Sequence, residues 1–254
     1  MSIVNKQFVY ENITNNKNIK ETSSGETFTD YTPVKYRSYH GATDHHLGDG
    51  LLIYAAIQHL RAKNCVCLGS GGGFIPRIMT QARLDLHDQG IFNGSNHWNW
   101  GDIGSTYVVD ATNNIGGETD WTDKDSFLRK TFAPRFINDT TENAFYNFFI
   151  KEDIKIHFLH IDADHSYQGV KKDFELYSTL LQPGGIITIH DTDNEYEENY
   201  TVSEDNKNNF EEFTKGPSRF IKELPSGWKS FNFFNEGLYK TKPSTTGLTF
   251  IQHD

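Results

Sequence analysis

Long apolar runs are missing from this sequence: the longest uninterrupted one, Leu51 to Ile57, is far short of the ~20 residues a helix needs to cross a bilayer. No membrane-spanning helix is expected. The opening stretch MSIVNKQFVYENITNNKNIK lacks the basic start, apolar centre and small-residue cleavage site of a secretory signal, so the expected location is the cytoplasm. Cysteine is scarce. Cys65 and Cys67 lie two apart in an apolar stretch, on one face of a strand, too few for a metal centre and too close for a stapling disulfide; they read as packing residues. Positive charge is also in deficit, with 24 basic against 34 acidic residues and a formal net charge of −10. No Lys/Arg run reaches the density of a phosphate-binding stripe, which argues against nucleic acid as the substrate. There is no internal repeat.

What is present suffices for one main core: 36% of the 254 residues are hydrophobic, with 19 Phe and 12 Tyr among them, and this length suits a single α/β domain with embellishments. Residues 1–48 are polar, rich in Asn, Thr and Tyr, and without periodicity, so they read as an N-terminal extension packing on the core. Residues 49–254 read as the domain itself. Within it, a helical apolar face runs from Leu51 to Leu60, a strand over Cys65–Leu68, a helix from Phe74 to about His87, and strands at Thr106–Val109 and Arg135–Ile137. A helix follows from Glu142 to Ile150, then the strand Ile156–Ile161, a helix from Gly169 to Leu181 and the strand Ile186–Ile189. This alternation predicts a parallel sheet with helices on both faces, a Rossmann-like three-layer αβα architecture. A short helix near Pro217–Leu224 and a C-terminal antiparallel hairpin, Trp228–Phe234 with Gly247–Gln252, complete it. The Gly- and Trp-containing stretch 88–104 and the acidic stretch from Asp191 to Asn209 read as loops.

Gly69, Gly71, Gly72 and Gly73 stand between a strand and a helix in VCLGSGGGF. Glycines there permit a tight turn and close ligand approach, and the helix start offers unpaired N–H groups. The dinucleotide pattern G-x-G-x-x-G fails, because Phe74 takes the third glycine's place; G-x-G-x-G fits. In this the sequence resembles the class I S-adenosyl-L-methionine (SAM)-dependent methyltransferases, with Cys67 where that family usually has Glu or Asp. The resemblance implies SAM on Gly69, Ser70, Gly71 and Gly73. A carboxylate ending the second strand can accept hydrogen bonds from both ribose hydroxyls, and Asp110 fits that position. Asp139, after the third strand, is a further candidate for contacting adenine.

The stretch FLHIDADHSYQGVKKDFELYSTLLQPGGIITIHDTDN closely resembles a segment of small-molecule methyltransferases, including the macrocin-type sugar O-methyltransferases: D-x-D-H-S-Y, a helix with a Lys-Asp pair, L-x-P-G-G, then a strand ending in H-D. The resemblance spans roughly residues 50–195 and implies a divalent metal, Mg, Mn or similar, at Asp162, His190 and Asp191. His190 replaces the usual first carboxylate, and a mixed O/N set suits Mn, Fe or Zn better than Mg. Asp164 or His165 would then remove the acceptor's proton. A metal-free alternative makes His165 the base, and a purely structural alternative has Asp164, His165 and Ser166 capping the next helix.

Lys171, Lys172, Asp173 and Glu175 read as a solvated helix face, Pro183-Gly184-Gly185 as the stop before a strand, and His40, His45 and His46 as ordinary surface histidines, with a fold-over onto the cofactor as their alternative. The expected function is O-methylation of a small hydroxylated acceptor, such as a sugar or glycan precursor, and homo-oligomerisation is compatible with it. The competing readings are a non-catalytic SAM- or nucleotide-binding module and a hydroxylase-like enzyme on the same fold.

Overall fold

The computed structural model describes residues 40–42, 47–71, 73–88, 104–111, 125, 130, 132–193, 216–233 and 246–254. Helix α1 (Asp49–Leu60) leads to β1 (Cys65–Leu68), α2 (Phe74–Asp88), β2 (Thr106–Asp110), β3 (Arg135–Asn138) and α3 (Thr141–Ala144). Then come β4 (Ile156–Ile161), α4 (Tyr167–Tyr177), β5 (Leu181–His190), α5 (Gly216–Lys222), β6 (Trp228–Phe233) and β7 (Leu248–His253). A π-helical turn, Phe145–Phe149, extends α3. His45, His46, Gly72, Trp98, Trp100 and the acidic stretch beyond Asp193 lie outside the described residues.

The strands form one sheet in the order β3-β2-β1-β4-β5-β7-β6. β1 to β5 pair in parallel, and β7 runs antiparallel to both β5 and β6. This is the Rossmann-like methyltransferase architecture expected, with the C-terminal hairpin on its edge. The hairpin's second strand takes the inner place: β7 buries Leu248, Thr249 and Ile251, whereas β6 is exposed over Lys229–Asn232. Lys229 on this outer strand is the kind of charge that blunts an open edge.

β1 shows why the sheet is covered on both faces. Its alternating side chains send Cys65 and Cys67 to a layer with Ile53 and Ile57 of α1 and Ile78, Met79 and Ala82 of α2. Val66 and Leu68 go to the opposite layer, with Phe145, Phe149, and Val170, Phe174 and Tyr177 of α4. At ~1.5–3 kcal/mol per large buried side chain, these layers hold the strand ends firmly in place.

Two local expectations are corrected. Pro183-Gly184-Gly185 lies inside β5: Ile156 pairs with Leu181 and Phe158 with Ile186, so two steps on β4 (156 to 158) face five on β5 (181 to 186). The extra residues bulge out, helped by Gly184 at φ +78°. Asp173 is 2% exposed, not solvated, because α4 turns Val170, Asp173, Phe174 and Tyr177 to the core at i, i+3, i+4, i+7 spacing. Thr141 Oγ1 donates to its Oδ1 at 2.5 Å.

Candidate active site

Parallel strands deliver their last residues to one edge of the sheet, where α/β folds hold ligands. Here β1 gives way to Gly69, β2 ends on Asp110, β4 is followed by Asp162, and β5 ends on His190 with Asp191 next. Antiparallel β7 begins opposite His190, which brings Thr246 and Gly247 to the same edge.

The glycine turn is fastened on two sides. Asp110 Oδ2 accepts from the Ser70 backbone N–H at 2.7 Å and from Ser70 Oγ at 2.9 Å. Gly69 has φ +82°, and a Cβ there would stand 2.1 Å from the Asp162 carbonyl oxygen. Only glycine lets the turn lie this close to the end of β4. Cys67, in place of the usual carboxylate, donates its thiol to the Gly69 carbonyl at 3.1 Å, and burial pushes that thiol's pKa well up.

Beyond the turn, Asp162 is the centre of a cluster. His165 Nε2 lies 3.2 Å and His190 Nδ1 3.3 Å from its Oδ1. His165 Nδ1 stands 3.2 Å from Asp191 Oδ2, and His190 Nδ1 3.2 Å from Asp191 Oδ1. Asp191 reaches both rings from a left-handed backbone, φ 55°, a conformation that Asp adopts more readily than most non-glycine residues. Thr246 Oγ1 donates to Asp191 Oδ1, and its oxygen stands 3.1 Å from His190 Nε2.

Electrostatics follows from this packing. Burial works to raise the Asp162 carboxyl, but the His190 charge first, then the nearby His160 ring and the hydrogen bonds of His165 and His190, together outweigh it and hold it well below the usual range. Burial works to lower His165, yet its hydrogen bond to Asp162 and the Asp191 charge bring it up to about 9. His190 is likewise opposed by burial and lifted by Asp191 and Asp162, to about 10. His40 goes the other way, lowered by burial and then by the charge of His190.

The candidate residues therefore divide. Gly69, Ser70, Gly71, Gly73 and Asp110 assemble as one turn, and Asp162, His165, His190 and Asp191 as one cluster beside it. Asp164 is exposed and its Oδ1 accepts from the Ser166 N–H at 2.9 Å, at the start of α4. Asp139 Oδ1 accepts from the Thr140 N–H at 2.8 Å and from Asn143 Nδ2 at 3.0 Å, at the start of α3. Sequence reasoning under-read His40. The structure buries it against His190, ring centroids 4.1 Å apart, and against Phe74 at 5.6 Å. His160 was read only as part of a strand, although His inside an otherwise apolar run is itself a signal. Two sets, His40 with Asp162 and His190, and Asp162 with His165 and Asp191, each bring one donor atom per residue within 4.8 Å of one another.

Fold and site together define a class I methyltransferase. A family model described as a methyltransferase domain matches residues 66–192, half of the chain, and the chain belongs to that family. Its fold is that of solved O-methyltransferases. A putative O-methyltransferase from Klebsiella pneumoniae superposes with a TM-score of 0.58 at 14% identity, over 86% of each chain. The O-methyltransferase TomG from Streptomyces achromogenes, involved in tomaymycin synthesis and solved with SAM, gives 0.57 at 11% identity, over 84% of this chain and 82% of its own. A Bacillus cereus O-methyltransferase in complex with SAH gives 0.56 at 14%, over 81% and 80%. A comparison with curated proteins finds no match. Among the described residues no helix is long and apolar enough to cross a membrane.

Proposed function

We propose that residues 49–254 transfer the methyl group of SAM to a hydroxyl of a small acceptor, a sugar or glycan precursor of the kind handled by macrocin-type enzymes, with residues 1–48 as an extension on this unit. One observation carries the reading: the glycine turn lies backbone to backbone on Asp162, with the Gly69 Cβ position 2.1 Å from the Asp162 carbonyl oxygen, so a cofactor cradled by the turn ends at the charged cluster. In this reading Gly69 to Gly73 approach the cofactor and Asp110 receives the ribose. Catalysis is chiefly alignment of acceptor oxygen, methyl carbon and sulfur.

Asp162, His190 and Asp191 are the residues assigned to a divalent cation, and their O/N donor set fits one. Bound there, a cation would lower the pKa of the acceptor hydroxyl. Of the two candidate bases, Asp164 is engaged at the start of α4 while His165 stands in the cluster, which favours His165. Its ring must give up a proton before it can accept one from the acceptor.

Incubating the full chain with methyl-labelled SAM and a panel of small hydroxylated acceptors, with and without chelator, tests the assignment. Label should pass to an acceptor oxygen and stop passing when metal is removed. SAM binding without transfer to any acceptor under any cation would favour the non-catalytic module instead.

A further inference from the structure

We infer that His40, Asp162 and His190 form a binding site for a borderline divalent cation such as zinc or Fe(II), in which His40 takes the place assigned above to Asp191. The inference deepens the metal-assisted reading and rests on it for Asp162 and His190.

Geometry comes first. Three residues from separate parts of the chain, one ahead of α1, one after β4 and one ending β5, bring one donor atom each within 4.8 Å of one another. His40 is fixed there by its backbone. Its carbonyl accepts from the Asp49 N–H at 2.8 Å, and Gly48, at φ +53°, leaves room that a Cβ would fill at 1.9 Å from the His40 oxygen. His40 is 6% exposed, and its Nδ1 is buried with no hydrogen-bond partner.

Two threonines then set which nitrogen of each ring faces Asp162. A hydroxyl has one proton to give. Thr246 gives its proton to Asp191 Oδ1, so it accepts from His190 Nε2–H, and Nδ1 is the nitrogen turned to Asp162 and Asp191. Thr188 gives its proton to the Leu159 carbonyl at 3.3 Å, so at 2.9 Å it accepts from His160 Nδ1–H. That leaves His160 Nε2 an acceptor, fully buried, without a hydrogen bond and 3.8 Å from Asp162 Oδ2. A cation bound here would replace the proton that His190 Nδ1 otherwise turns to Asp162 and Asp191. An imidazole that ligates a metal through one nitrogen ordinarily donates from the other to an oxygen, as His190 does to Thr246.

The donor set determines the class of cation. Two imidazoles and one carboxylate suit zinc, Fe(II), Co(II) or Mn(II), whereas magnesium prefers oxygen alone. Asp191 groups instead with Asp162 and His165, its Oδ1 receiving Thr246 and its Oδ2 facing His165 at 3.2 Å.

The test reads the metal directly. Chelated full-length protein is titrated with Co(II), and its visible absorption is followed. One equivalent should give the bands of a nitrogen-ligated site, which zinc removes and a large excess of magnesium does not. His40→Ala should weaken Co(II) by more than the ~10–100-fold typical when an outer-shell partner is lost, and Asp191→Asn by only a few-fold. Circular dichroism establishes that each variant is folded. Should His40→Ala prove unfolded, imidazole nitrogen shifts on zinc binding to the unmodified chain replace it, with His40 and His190 expected to move. Featureless Co(II) spectra, equal competition by magnesium, or loss of binding in Asp191→Asn with His40→Ala intact would each overturn the inference. Intact Co(II) bands in a protein that methylates nothing would count against the proposed function alone.

Discussion

At the scale of single residues, the site contrasts one carboxylate that serves the cofactor side with one that organises histidines. Asp110 supports the turn through Ser70 and is assigned to the ribose, so Asp110→Ala removes both. SAM affinity should fall by about 1–3 kcal/mol, the cost of unpaired hydrogen-bonding groups; unchanged affinity by calorimetry would falsify the cofactor assignment. Asp162 and Asp191 act on His165, whose cationic form they favour up to about 9. In chelated protein its imidazole NMR titration should centre there, far above the ordinary ~6.5. A cation on those carboxylates should bring the midpoint down, since the ion's own charge reverses the local balance. A midpoint near 6.5 without metal would show that the carboxylates do not hold the ring charged.

At the scale of elements, the glycine turn and the start of α4 separate binding from support. Gly69→Ala meets both a left-handed backbone and the Asp162 carbonyl, so it should abolish SAM binding and lower Tm together. Ser166→Ala removes only the hydroxyl that accepts the Gly169 N–H at 3.0 Å, costing ~1 kcal/mol. That corresponds to a Tm lower by about 2–4 °C, with SAM affinity retained; a Ser166→Ala variant that cannot bind SAM would show that the two elements are not separable. Most of the elements were legible because their patterns are local: a short, mostly apolar run over Ile156–Ile161, buried along nearly its whole length, and helical spacing through Phe74–Asp88. What escaped depends on contacts between distant residues. The bulge at Pro183–Gly185 is set by pairing with β4, and nothing near His40 in the sequence announces the ring of His190 against it. The strand-end carboxylates were legible because the parallel topology alone brings them to one edge; the helix-start role of Asp164 was open as an alternative that its hydrogen bond decides, whereas that of Asp139 emerges only from its hydrogen bonds.

For the molecule as a whole, these groups set how stability responds to pH. Asp162 is held well below its ordinary value, so its contribution is present above the unfolded pKa and is lost as pH falls. Asp173 is the reverse. Burial first, then the Asp164 charge, raises it to about 7 against the Thr141 hydrogen bond, so the folded state keeps a proton that the unfolded chain sheds near 4. Stability therefore declines from about pH 4 to about pH 7, with a limiting slope of ~1.4 kcal/mol per pH unit. His165 and His190, raised to about 9 and about 10, contribute stability that is complete below ~6.5 and lost on approaching those values. His40 and His160, lowered by burial, work the other way, gaining stability as pH rises to their unfolded value of ~6.5; above that value the remaining changes all share one sign, so chelated protein should lose stability from neutrality upward. Asp173→Asn isolates one of them, because the amide cannot ionise yet still offers Thr141 an acceptor. Urea midpoints of the two proteins should diverge in the variant's favour between pH 5 and pH 8; parallel midpoints across that range would mean that Asp173 is already ionised in its buried place.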